Sequence, residues 1–143
     1  MSILVDTSIW IEYFRTGNNS EKLDFLIDEN LIVINDLILA ELVPFLRVRN
    51  QRKIVKLLYN INKLELSINW DQLNEFQFKC LKNGLNGIGI PDLIVAQNAK
   101  QNHCEIYSLD SHFKLMRNIL RLQLTGYANN ANKADVKKPD GSP

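Results

Sequence analysis

Short, wholly apolar runs alternate with longer amphipathic ones along this chain. Ile3-Leu4-Val5 and Leu31-Ile32-Val33-Ile34 read as strands covered on both faces. Leu64 to Ile68 shows some alternation, Cys104 to Ser108 is a fourth strand candidate, and Ile119 to Leu124 a fifth. Between them apolar residues recur at helical spacing. One helix carries Ile9, Trp10, Tyr13 and Phe14 behind Thr7 and Ser8 as caps, and a second spans residues 21–30 with Leu23, Leu26 and Ile27 on one face. A third runs from Leu37 to about Val48, capped by Asn35 or Asp36 and bent at Pro44. A fourth begins at Asn50 with the stripe Ile54, Leu57, Leu58, Ile61, and a fifth, capped by Asn69, covers 70–83. After the loop Asn83-Gly84-Leu85-Asn86-Gly87-Ile88-Gly89, Pro91 suits the first turn of a helix reaching Asn102. A short helix through His112 and Met116 precedes the last strand.

Strands separated by helices predict an α/β protein, a three-layer α/β/α sandwich around a mostly parallel sheet of about five strands. Residues 1–126 form the domain, and 127–143, poor in apolar residues and rich in Asn, Lys, Asp and Pro, read as a disordered tail. This topology has a chemical consequence. Helices return antiparallel to the strands, so strand C-termini and helix N-termini share one rim, where ligands bind. Asp6 and Asp110 directly follow strands, Asp92 opens a helix, and Glu41 lies one turn into another. All four have apolar flanks and face that rim; the remaining twelve acids read as solvated surface.

Composition narrows the picture. An apolar content of 45% and a charged content of 23% fit an ordinary globular domain. A net charge of +1 excludes a binding module that works through a global basic field, but not an enzyme that meets phosphates through metal. Cys80 and Cys104 show no close pairing pattern and read as reduced core thiols of a cytoplasmic protein. No apolar run approaches a membrane span, and no signal peptide is expected.

Carboxylates a few ångströms apart raise one another's pKa and call for cations. Hard oxygen ligands without an accompanying His or Cys cluster favour Mg²⁺ or Mn²⁺, which can support phosphodiester hydrolysis. At this point four segments carry a resemblance. Val5-Asp6-Thr7-Ser8-Ile9-Trp10, Leu39-Ala40-Glu41-Leu42, Pro91-Asp92-Leu93-Ile94-Val95-Ala96 and Ser108-Leu109-Asp110-Ser111-His112-Phe113 resemble the four motifs of PIN-domain nucleases, most closely VapC-type toxins. The resemblance spans Ile3 to about Thr125. It implies an endoribonuclease using Mg²⁺ or Mn²⁺, frequent homodimers and a cognate antitoxin. By motif, Asp6, Glu41, Asp92 and Asp110 are the metal-binding and catalytic acids, and Ser8 and Ser108 the hydroxyls near the metal. Asn35-Asp36 and Ile38 stand where Ser or Thr is usual, so Asp36 adds a possible extra carboxylate near the site.

Other features leave alternatives open. Arg47, Arg49, Arg52, Lys53, Lys56 and Lys63 place six positive charges between residues 47 and 63 without an acid. Arg52 and Lys53 could track phosphates, or the helix could be an ordinary solvated face. His112 could touch substrate or serve in capping and packing, and Trp10, Tyr13 and Phe14 could receive a partner or pack in the core. Rival functions are a housekeeping PIN nuclease, a non-catalytic PIN-like scaffold for RNA or a protein partner, and a receiver-type phosphoacceptor. The last lacks its acid pair after the first strand and its lysine after the last.

Overall fold

In the computed structural model the described residues are 1–17 and 20–127. Asn18, Asn19 and, apart from Tyr127, the expected tail lie outside them. The elements are β1 (Ile3–Val5), α1 (Thr7–Arg15), α2 (Ser20–Asp28), β2 (Ile32–Asn35), α3 (Asp36–Val48), α4 (Arg52–Tyr59), β3 (Asn62–Leu64), α5 (Trp70–Lys82), α6 (Ile90–Gln101), β4 (Glu105–Tyr107) and α7 (Ser111–Leu120). Four strands form one parallel sheet in the order β3-β2-β1-β4. Ile3 and Leu4 pair with Ile32 and Val33 on one side, and Ile3 to Val5 with Glu105 to Tyr107 on the other. The central strand is buried along its whole length, as its uniform apolar run requires.

Three sequence expectations are corrected. The segment from Ile119 to Leu124 is not a strand. Phe113, Met116, Arg117 and Leu120 are buried at i, i+3, i+4 and i+7, so the helical period runs on through Leu120 and ends at Arg121, which adopts left-handed backbone. Leu120, Leu122 and Leu124 alternate like a strand, yet only Leu124 reaches the sheet, through a single parallel bridge to Ile106. The third strand lies earlier than its alternation suggested, at 62–64 rather than 64–68. Beyond it the backbone leaves the sheet because α6 side chains take its polar groups. Asn98 Nδ2 donates to the Glu65 carbonyl at 3.0 Å and Gln101 Nε2 to that of Ser67 at 2.9 Å. Gln97 accepts from the Asn69 amide at 3.1 Å and donates to its carbonyl at 3.0 Å. Finally, α4 starts at Arg52, since Asn50 has a φ of 57° and breaks the run.

Capping follows simple chemistry. Asp6, not Thr7 or Ser8, is the N-cap of α1; Asn35 caps α3, Asn69 caps α5 and Asp110 caps α7. Pro44 stands inside α3 on its exposed side, where the carbonyl of Ala40, also exposed, can meet water. Trp10 is fully buried, and the half-buried Tyr13 and Phe14 pack around it at the margin of the core. Tyr13 also ties α1 to α2. Its hydroxyl donates to Asp24 Oδ1 at 2.6 Å, and that bond, with burial, pushes the phenol up to about 12. Cys80 and Cys104 are buried free thiols.

The fully buried Asn35 holds two elements at once: Oδ1 accepts from the Ile38 amide, and Nδ2 donates to Asn98 Oδ1, both at 2.9 Å. Replacing Asn98 with Ala would strand the Asn35 amide and the Glu65 carbonyl. We expect Asn98→Ala to lose about 2–3 kcal/mol in urea unfolding, the cost of leaving buried polar groups unpaired. A loss below about 0.5 kcal/mol would show that water replaces the side chain without penalty.

Candidate functional site

The parallel sheet brings the C-terminal ends of β1, β2 and β4 to one rim, together with the N-termini of α1, α3, α6 and α7. Each site residue reaches this rim by a local rule. Asp6 and Asp110 follow strands and cap the next helix: Asp6 Oδ2 accepts from the Ser8 amide at 3.4 Å, and Asp110 Oδ1 from the His112 amide at 2.9 Å. Asp92 lies in the first turn of α6 behind Pro91 and the extended Gly89. The approach to α6 is fastened by Gln77, whose Nε2 donates to the Ile88 carbonyl at 3.1 Å. Within that approach Gly84 and Gly87, with φ of 76° and 81°, make turns that side chains resist.

Asp6 is the best anchored of the acids. It is buried, and its Oδ2 accepts from Ser8 Oγ and Ser108 Oγ, both at 2.9 Å. Each hydroxyl has one proton. With both given to Asp6, the 3.2 Å approach of the two serine oxygens is a contact without a proton of its own. Those oxygens accept in turn, Ser8 from the Leu109 amide and Ser108 from the Asp110 amide, each at 2.9 Å. The serines thus build the turn that presents Asp110.

Asp92, Asp110 and His112 offer one ligand atom each, all within 4.8 Å of one another. His112 Nδ1 lies 3.2 Å from Asp92 Oδ2 and 3.4 Å from Asp110 Oδ1. Burial pushes the Asp92 carboxyl up; the His112 bond opposes that, and the charges of Asp110 and Asp6 add to the rise. The histidine is therefore a member of the acidic cluster. The sequence left it open between a substrate contact and a role in capping and packing; its place two residues after Asp110 on a helix N-terminus is visible there.

The other candidates stand further out. Glu41 is exposed and outside that group, tethered at the rim by Thr7 Oγ1, which donates to its Oε1 at 2.9 Å. Thr7 as the partner of Glu41 was not foreseen. Asp36, expected as an extra carboxylate, pairs instead with Lys63 at 3.0 Å, both side chains exposed. Arg52 and Lys53 sit on α4, in the α3–α4 hairpin and away from the carboxylate cluster. Among the described residues no helix is long and apolar enough to cross a membrane.

The raised pKa sets a pH dependence. The folded Asp92 carboxyl holds its proton more tightly than the unfolded one, so its stabilisation is present below the unfolded pKa. It is lost as pH rises through that value and the raised folded one. We expect metal-free Asp92→Asn to melt at or above the temperature of the metal-free parent at neutral pH. Its advantage should disappear near and below about pH 4. A lower melting temperature at neutral pH would mean that the His112 contact outweighs the cost of burial.

Comparison with known proteins agrees with this geometry. The chain resembles VapBC2 from Rickettsia felis bound to a DNA fragment from its promoter, with 22% identity and a TM-score of 0.70, over 90% of this chain and 100% of that one. DNA-bound VapBC from Salmonella typhimurium gives 13% and 0.68, over 87% and 96%. FitAcB from Neisseria gonorrhoeae gives 19% and 0.63, over 85% and 95%. At these identities the likeness concerns the fold. No curated protein matches the chain. The model of the PIN-domain family matches residues 3–118, most of the chain and all four acids of the rim, and the chain belongs to that family.

Proposed function

We propose that this protein is a metal-dependent endoribonuclease, the toxin of a toxin–antitoxin pair that works in the cytoplasm. The observation that carries the reading is the cluster of Asp92, Asp110 and His112, with Asp6 close enough to raise Asp92, on the ligand-binding rim of a PIN domain. Neighbours in fold include VapBC and FitAcB, whose names join two components, and this supports a cognate antitoxin as partner. A second copy of the chain has a suitable face: Trp70, Phe78 and Leu81 are all exposed on α5, within about 80° of one another around the helix.

The donor set fits a divalent cation. Two carboxylates and an imidazole converge, and the burial that raises Asp92 is the strain that a cation relieves. Asp92 and Asp110, with Asp6, would hold Mg²⁺ or Mn²⁺, Glu41 would serve from the rim, and His112 is in reach of both inner acids. Such an ion, when bound, supplies charge against the phosphoryl oxygens and acidity for the attacking water. The chain's own part is positional. Ser8 and Ser108 fix Asp6, Asp6 and Asp110 point inward as caps, and Thr7 steadies Glu41. Hydrolysis adds water across the bond, so the P–O3′ bond breaks and the products carry a 5′-phosphate and a 3′-hydroxyl.

Purified protein is expected to cut single-stranded RNA only with Mg²⁺ or Mn²⁺ present. Even outer partners of metal ligands cost about 10–100-fold when removed, so Asp92→Asn and Asp110→Asn should lose at least 100-fold, and Ser108→Ala about 10–100-fold. Undiminished cleavage in EDTA would refute the metal mechanism. In cells, expression of the protein alone should arrest growth, and co-expression of a cognate antitoxin should restore it. Harmless expression of a protein that cleaves RNA in the test tube would instead make it a housekeeping nuclease.

A further inference from the structure

The basic segment has no role in the carboxylate site, and its geometry gives it one of its own. Arg47, Asn50, Arg52, Val55, Lys56, Tyr59 and Asn60 line a groove of about 540 Å³ where α3 turns into α4. That volume is in the range of ligand-holding pockets. Asn60 also borders the cavity beneath Asn30 and Ile32, at the start of β2, so the groove belongs to the opposite edge of the sheet from the carboxylates. Helix α3 leads there: it starts at the rim with Asp36, and its 13 residues span roughly 20 Å before ending beside Arg47.

Among the described residues, the charges of this groove have no acidic partner. Of the six cations between 47 and 63, Lys63 is paired with Asp36, and Arg49 lies 3.7 Å over the Phe45 ring while donating to the Phe45 carbonyl at 3.1 Å. Among the described residues, none of Arg47, Arg52 and Lys56 has a carboxylate within 4 Å. Nor does helix stability call for them all. Arg47 suits the C-terminal turn of α3, but Arg52 and Lys53 occupy the first turn of α4, which has no acid, where the helix dipole disfavours cations. The rest of the chain holds 11 basic residues against 16 acidic, so the near-neutral net charge conceals one concentrated basic patch. Tyr59 stands in the patch at 62% exposure and adds a ring on which a base can stack.

We propose that this groove is a second RNA-binding site, in which Arg47, Arg52 and Lys56 take phosphates of single-stranded RNA and Tyr59 stacks a base. The inference rests on RNA as the substrate and places part of that RNA's binding at the far edge from the carboxylates. Lys53 does not line the groove, so of the two cations singled out in the sequence only Arg52 belongs to it. Three cations without a carboxylate partner among the described residues, two amide side chains and an aromatic ring, beside the single aliphatic Val55, suit a polyanion better than an apolar partner helix.

The test is binding of a labelled single-stranded RNA of about 16 nucleotides to metal-free protein, followed across salt concentrations. Neutralising two phosphate contacts with Arg52→Gln and Lys56→Gln should weaken binding and make the slope of log K against log salt shallower by about 1.4. Lys79→Gln with Lys82→Gln, the same change of charge on α5, should leave that slope as it is. Tyr59→Leu should weaken binding at least about fivefold without altering the slope. An unchanged slope in the α4 variant, equal slopes in both double variants, or no binding by the parent at low salt would overturn the proposal. Displacement of RNA by polyglutamate at equal charge concentration would also overturn it, in favour of an acidic protein ligand. Cleavage with metal is scored separately. A parent that binds RNA in this groove but never cuts it refutes the nuclease reading alone, whereas one that cuts RNA while the α4 variant keeps the parent's slope refutes only the groove.

Discussion

The Asp6 carboxylate joins the two ends of the folded chain. Its Oδ2 receives protons from Ser8, two residues on, and from Ser108, a hundred residues later. Those hydroxyls receive the amides of Leu109 and Asp110. The result is a relay of backbone amide, serine and carboxylate in which each bond polarises the next. It locks the β4–α7 turn to the β1–α1 turn, two adjacent parallel strands meeting at their C-termini. Asp110 takes its place from that lock, since its own amide is one of the donors. Asp6 is thus an organiser of the rim as well as a charge on it.

Negative charge gathered this way must be offset from somewhere. Part of the compensation is built into the fold, because the N-termini of α1, α3, α6 and α7 share this rim with their dipoles' positive ends inward. Asp6 and Asp110 use it most directly, as caps. Asp92 does not cap its helix; Gly89 stands at that position, and burial is the main influence on its carboxyl. Only His112 bonds Asp92 within the cluster, and it is shared with Asp110. Of the rim's four acids, Asp6 and Asp110 cap helices and Glu41 accepts from Thr7, while Asp92 is raised mainly by burial, a strain that a bound cation would relieve.

Much of this was legible in the sequence because the determinants are local. Buried parallel strands show as uniform apolar runs, and strand-following acids fall on the ligand edge by topology alone, so Asp6, Asp92 and Asp110 could be gathered without coordinates. What was not legible depends on partners distant in the chain. The ladder that ends at Leu64 is cut short by Asn98, Gln97 and Gln101, all from a helix some thirty residues on. The alternation of Leu120, Leu122 and Leu124 is real, but it follows a helix whose own period already accounts for Leu120. Asp36 looked like a candidate for the site only until Lys63, on the neighbouring strand, was seen to pair with it. The role of His112 stayed open for another reason: a lone histidine gives no periodic signal, and its value comes from two acids, one of them twenty residues away.

The near-zero net charge of the chain is best read as a separation of charge rather than an absence of it. Topology sends the strand-following acids to one edge of the sheet. The turn between α3 and α4, at the other end of the thirteen-residue α3, collects cations with no acid among them. Among the described residues no ion pair joins the groove's cations to the carboxylate cluster; Lys63 of the basic segment pairs with Asp36, which lies outside that cluster. A polyanion approaching the carboxylate rim is repelled there until a cation intervenes, because like charges at this range cost free energy. Attraction must then come from elsewhere on the surface if the approach is to be productive, and the fold provides it about one helix length away. On the proposed function, such an arrangement would separate the binding of a nucleic acid from the chemistry done on it.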